Sequence, residues 1–143
     1  MLLIVALSCT HADLERDTTV SIIDGNNPPT FKLDGNGDQI FFIVSEVAPE
    51  NQGRNPYAKE DVAFWQVWPK EGTRPEVWLW PRIKYGTVPD GFVQKIPQNG
   101  MPPPLVEGKI YEAGGPASNA GGGYIWFEVR NRQIVRVPSP HDH

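Results

Sequence analysis

Proline and glycine interrupt this chain so often that a long helix has almost nowhere to form. Fifteen prolines and fourteen glycines are spread over 143 residues. Proline removes a backbone donor and clashes inside a helix, and glycine loses the most conformational freedom on ordering. After the first apolar residues, the longer uninterrupted stretches are Asp38–Ala48, Tyr57–Trp68 and Tyr124–Val137. The first and last are rich in β-branched and aromatic residues, as strands are. In the middle one, only Tyr57–Val62 allows a turn or so of helix.

Read along the chain, apolar alternation and turn residues mark out strands. Thr18–Ile23 and Thr30–Leu33 are the first two, with Phe31 and Leu33 on one face. Asp34-Gly35-Asn36-Gly37 reads as a hairpin turn into Gln39–Val47. There Ile40-Phe41-Phe42-Ile43-Val44 is apolar throughout, as in a central strand covered on both faces. Val62–Trp68 follows, then Glu76–Ile83, where Pro81 implies an edge or a bulge. Phe92–Ile96 and Lys109–Ala113 come next, with Asn99–Pro104 as an extended polyproline stretch on the surface. Gly114–Gly123 reads as a flexible loop. Tyr124–Arg130 and Gln133–Val137 form a hairpin around Asn131-Arg132. Short strands at intervals of about ten residues predict an all-β fold, a single immunoglobulin- or fibronectin-III-like β-sandwich of about 7–9 antiparallel strands. The domain occupies residues 18–137, and 138–143 form a disordered tail.

The net charge is −4 with both signs mixed, which argues against a nucleic-acid binder, where a basic stripe is expected. The three histidines are His11, His141 and His143, so the strand-forming body holds none. A nucleophile–imidazole pair or a zinc centre would have to recruit a chain end. Two carboxyls of unequal acidity suffice for glycoside hydrolysis, yet no spacing singles out a pair; Glu60-Asp61 and Glu46/Glu50 read as solvated loop charges. Asp34, Asn36 and Asp38 match the opening of a calcium loop, but Gln39 and Ser45 stand where its glycine and glutamate belong. A looser cation site from Asp24, Asp34 and Asp38 is the alternative to plain turn chemistry. No cofactor is implied, and the expectation is a protein that is not an enzyme.

The five tryptophans are the best binding candidates: Trp65, Trp68, Trp78, Trp80 and Trp126. Alternate residues of a strand share a face, so Trp78 and Trp80 are expected to point together, with Val77 and Leu79 opposite. The segments bearing Trp68 and Trp78 are expected to pair as a hairpin. An exposed Trp78/Trp80 face would offer a platform for sugar rings or a protein partner; the competing reading is core or cross-strand packing.

One cysteine remains, Cys9. It follows Met1-Leu2-Leu3-Ile4-Val5-Ala6-Leu7-Ser8, which resembles the end of a bacterial lipoprotein signal peptide. On that reading residues 1–8 are removed, Cys9 is acylated and residues 9–17 are a polar tether. Cleavage after Ala12 and plain secretion is the rival. A first strand with a buried free cysteine is the third reading. The apolar run is too short to span a bilayer, which needs about 20 residues.

The run Val88-Pro89-Asp90-Gly91-Phe92-Val93-Gln94 is followed by Pro97-Gln98-Asn99-Gly100 and by Pro103-Pro104-Leu105-Val106-Glu107-Gly108-Lys109-Ile110-Tyr111. With Thr30-Phe31-Lys32-Leu33 and Ile40-Phe41-Phe42 upstream, the whole resembles short bacterial lipoproteins of unassigned activity. The resemblance implies a signal peptide and one immunoglobulin- or fibronectin-like sandwich, and no activity. The expected protein is a non-catalytic binding or structural module of the cell envelope. It would be held to membrane lipid through Cys9, with a possible protein or glycan partner and no nucleic acid. A secreted carbohydrate-binding module using a tryptophan face is the alternative, and a small acid/base hydrolase the third.

Overall fold

The computed structural model describes residues 16–48 and 62–140. Among them are nine strands: β1 Thr19–Asp24, β2 Thr30–Asp34, β3 Phe42–Glu46, β4 Val62–Pro69, β5 Ile83–Lys84, β6 Phe92–Ile96, β7 Ile110–Gly115, β8 Gly123–Arg130 and β9 Gln133–Val137. They form two antiparallel sheets, β1-β2-β5 and β6-β4-β3-β7-β8-β9. Phe31 of the small sheet meets Phe42 and Phe127 of the large one at ring distances of 5.3 and 5.7 Å. The two sheets therefore face each other over one core, and the fold is a β-sandwich.

Period-two alternation explains which residues enter that core. Phe31 and Leu33 point in from β2, Phe42 and Val44 from β3, Trp65 and Val67 from β4, and Ile125, Phe127 and Val129 from β8. Each large side chain so buried contributes roughly 1.5–3 kcal/mol. Trp65, fully buried, donates its indole N–H to Gln94 Oε1 at 2.9 Å. The two-residue turn between β8 and β9 has Asn131 and Arg132 both at positive φ, the mirror-image turn that suits strand twist. The Glu107 carboxylate accepts both of their amide hydrogens.

Three expectations are corrected. Asp34–Gly37 is not a hairpin turn, because β2 and β3 lie in different sheets. It opens a crossover that carries the chain from the small sheet to the large one. β3 is central, between β4 and β7, but its outer face is only half-buried, at Ile43 and at Phe41 just before the strand. The Gly114–Gly123 segment is pinned to the crossover rather than flexible. Ile40 N–H donates to Pro116 O, Ser118 N–H to Asp38 O and Asp38 N–H to Asn119 Oδ1, at 2.7 to 2.9 Å. At the centre of this contact lies Gln39, 2% exposed, whose Oε1 accepts from Thr18 Oγ1 and whose Nε2 donates to Phe41 O.

The topology gives the sandwich two distinct ends. β1 begins, β2 ends, β3 begins and β9 ends at the crossover end. The β1–β2 turn, the segment after β5 and the loop between β6 and β7 lie at the opposite end. Both the first and the last described residues therefore leave from the crossover end. The leader, Cys9, most of the tether, the helical turn expected at Tyr57–Val62 (all but Val62, which opens β4) and the three histidines lie outside the described residues.

Candidate functional site

The crossover end is built on Asn36 and Gly37. Asn36 N–H donates to Arg16 O, and its Oδ1 accepts from Arg16 N–H. Next to it, Asp17 Oδ1 accepts from Gly121 N–H at 3.0 Å. The last two residues of the expected tether are thus already docked on the sandwich. One residue further along the crossover, Gly37 O accepts from Val77 N–H at 2.9 Å. The chain's point of departure and the Val77 segment therefore hang on adjacent residues.

That segment is not a strand. Val77–Leu79 is one turn of 3-10 helix, with Leu79 N–H donating to Glu76 O and Trp80 N–H to Val77 O. In such a turn residues i and i+3 share a side, so Val77 and Trp80 face inward together. Val77 is fully buried and Trp80 is 8% exposed, while Trp78 is 56% exposed and Leu79 41%. The expected pairing of Trp78 with Trp80 on one face is overturned. The backbone contacts of Gly37 and Gln39 with Val77 and Pro75 shape the entering side. Pro81 holds Trp80 extended, at φ −67° and ψ 140°, on the leaving side. Five residues between two prolines curl instead of extending.

The other tryptophans are occupied. Trp80 packs edge-on against Phe92 at 4.8 Å. Trp68 does not pair with the Trp78 segment; it lies opposite Val93 in the β4–β6 ladder. Its ring rests against Phe41 at 4.9 Å and carries the Lys95 ammonium 3.9 Å from its centroid, a cation–π contact. Trp126 is half-buried on β8 opposite Glu112 and Val137. Beside it, Pro138 and Ser139 of the expected tail line a recess with Arg136. Of Trp78, Trp80 and Trp68, only Trp78 turns its ring largely to solvent.

At the far end lies a groove of about 300 Å³, lined chiefly by Pro28, Tyr85, Met101, Pro102, Pro104 and Leu105. The polyproline stretch lies on the surface, exposed at every residue of Asn99–Pro104 except Pro102, and Leu105 just after it is buried. Tyr85 O–H donates to Pro103 O at 2.5 Å and ties the loop down. This groove was missed because it joins residues far apart in sequence; the only local signal was a tyrosine and a proline run with no strand partner.

Burial, and then the neighbouring Tyr111, push the Tyr85 hydroxyl well above the ordinary tyrosine value of 10.0. The unfolded chain therefore loses this proton first as pH rises. The associated stability is complete below about pH 10 and declines above it. The urea midpoint is expected to fall between pH 10 and 12, and less steeply in Tyr85→Phe. At neutral pH that variant loses one hydrogen bond, worth about 0.5–1.5 kcal/mol. A midpoint independent of alkaline pH in the wild type would contradict the assignment.

The looser cation site is pulled apart by the topology. Asp24 ends β1 at the far end, while Asp34 pairs with Thr19 at the crossover end. Asp24 Oδ1 accepts from Asn26 N–H and Nδ2, and Asp34 Oδ1 from Gly35 N–H, as turn residues do. Among the described residues no three His, Cys, Asp or Glu side chains gather as a metal site. Glu46 faces Lys109 Nζ at 3.5 Å, a partly exposed ion pair.

No protein-family model, curated protein or solved structure matches this chain.

Proposed function

We propose that this protein is a lipid-anchored, non-catalytic binding or structural domain of the cell envelope, attached through Cys9. The observation that supports the reading is the polarity of the sandwich. Arg16 leaves from the crossover end, and the apolar groove opens at the other. An acyl anchor seven residues before Arg16 would hold one end near the bilayer and leave the far end free. We also read the sandwich as immunoglobulin-like. Its β1-β2-β5 and β4-β3-β7-β8 orders correspond to strands A-B-E and C′-C-F-G of that architecture, with β6 and β9 added at the edges.

Metabolic labelling with a fatty acid tests the anchor. The wild type is expected to take the label and sediment with membranes. Cys9→Ala is expected to lose the label and appear in the soluble fraction. Label on the alanine variant, or none on the wild type, would overturn the reading.

A further inference from the structure

We propose that Trp78 and Leu79 form a lipid-contacting foot, which seats the crossover end in the headgroup–acyl boundary of the membrane. The inference rests on attachment at Cys9 and adds a second, non-covalent contact to it.

Three observations carry it. The first is exposure: Trp78 and Leu79 are adjacent, 56% and 41% exposed, and project from a turn whose other side is anchored by buried Val77 and Trp80. A large apolar pair on a fixed turn is preorganised for contact. An indole suits the membrane interface because its body is apolar and its N–H is polar. The second is position. Arg16 is bonded to Asn36 and Val77 to Gly37, so the foot stands beside the point where the chain departs. The third is reach. Seven residues from Cys9 to Arg16 span at most about 25 Å even when fully extended. That is about the length of one eight-residue strand of this sandwich, so a tethered domain cannot place its crossover end far from the bilayer.

Charge narrows the partner. Nearest to the foot along the chain stand Arg74, Glu76 and Arg82, with Arg74 already paired to Glu76 at 2.9 Å. One further cation is too little to make the contact depend on anionic headgroups, which clusters of several Lys or Arg recognise. The expected surface is a zwitterionic interface, contacted through apolar area.

Because Cys9 is the only thiol, the full chain can be coupled there to maleimide-bearing phosphatidylcholine vesicles, whether or not cells acylate it. Tryptophan emission is then compared between ordinary vesicles and vesicles with acyl chains brominated near the headgroup. Wild-type emission is expected to fall by about one fifth, the share of one tryptophan in five. Trp78→Ala should show no such fall. Leu79→Ser, which keeps the fluorophore, should show a smaller one, and added anionic lipid should not deepen it. Unquenched emission from the coupled wild type, or equal quenching in Trp78→Ala, overturns the foot. Failure of fatty-acid labelling in cells, by contrast, removes the anchor and leaves this result to stand by itself.

Discussion

Gly115→Ala is expected to remove about 4 kcal/mol or more of the domain's stability. A Cβ at Gly115 would lie 1.9 Å from Phe41 O and 2.8 Å from Gln39 Nε2. The first of these atoms is backbone of β3's lead-in, which cannot swing aside. The second belongs to the buried Gln39 network that joins β1 to the crossover. Relief requires β3 and β7 to separate at this end, at a cost of about 4 kcal/mol or more, against a total stability typical of small domains of about 5–15 kcal/mol. Gly72 provides the contrast. An added Cβ there meets nothing within 4 Å, and only its φ of +87° resists substitution. Gly72→Ala is expected to cost about 1–2 kcal/mol. Near-ultraviolet circular dichroism and urea titration of the two variants measure the difference. A Gly115→Ala protein as stable as Gly72→Ala would show that β7 does not approach the crossover this closely.

The second large effect separates two tryptophans two residues apart. Trp80→Ala is expected to cost about 3–5 kcal/mol, the usual range for a buried aromatic, because it empties the space against Phe92. Its indole nitrogen is buried without an acceptor, so its contribution is packing, and Trp80→Phe should restore most of the loss. Trp78→Ala is expected to change stability by no more than about 0.5 kcal/mol, as exposed substitutions do. Equal losses from the two alanine variants would mean that the segment is a strand or that both rings are buried, and the 3-10 turn would be wrong.

The same segment shows how far the sequence could be read. Strands β1, β2, β4, β6, β8 and β9 were legible within a residue or so, because each is rich in β-branched or aromatic residues and is bounded by turn residues. Val77-Trp78-Leu79-Trp80 carries no such information. Four large apolar residues in a row fit either period, and what decided between them was a hydrogen bond from Val77 to Gly37, forty residues earlier. The hairpin expected at Asp34–Gly37 failed for a related reason. Its turn residues are genuine, but turn chemistry does not say in which sheet the next strand lies. Glycines 114, 115, 121, 122 and 123 were read as flexibility when they serve close approach of backbones. Of the candidate binding residues, Trp78 is exposed, while Trp80 and Trp68 are packed. Leu79 was assigned to the wrong side, and the Tyr85 groove depends wholly on long-range contacts.

Whether an acylated Cys9 holds this sandwich at one end is read from the intact mass of the protein extracted from membranes. The mature chain is expected to begin at Cys9, to lack residues 1–8 and to carry the added mass of acyl groups on its first residue. The unmodified mass of all 143 residues, recovered from the soluble fraction, would contradict it.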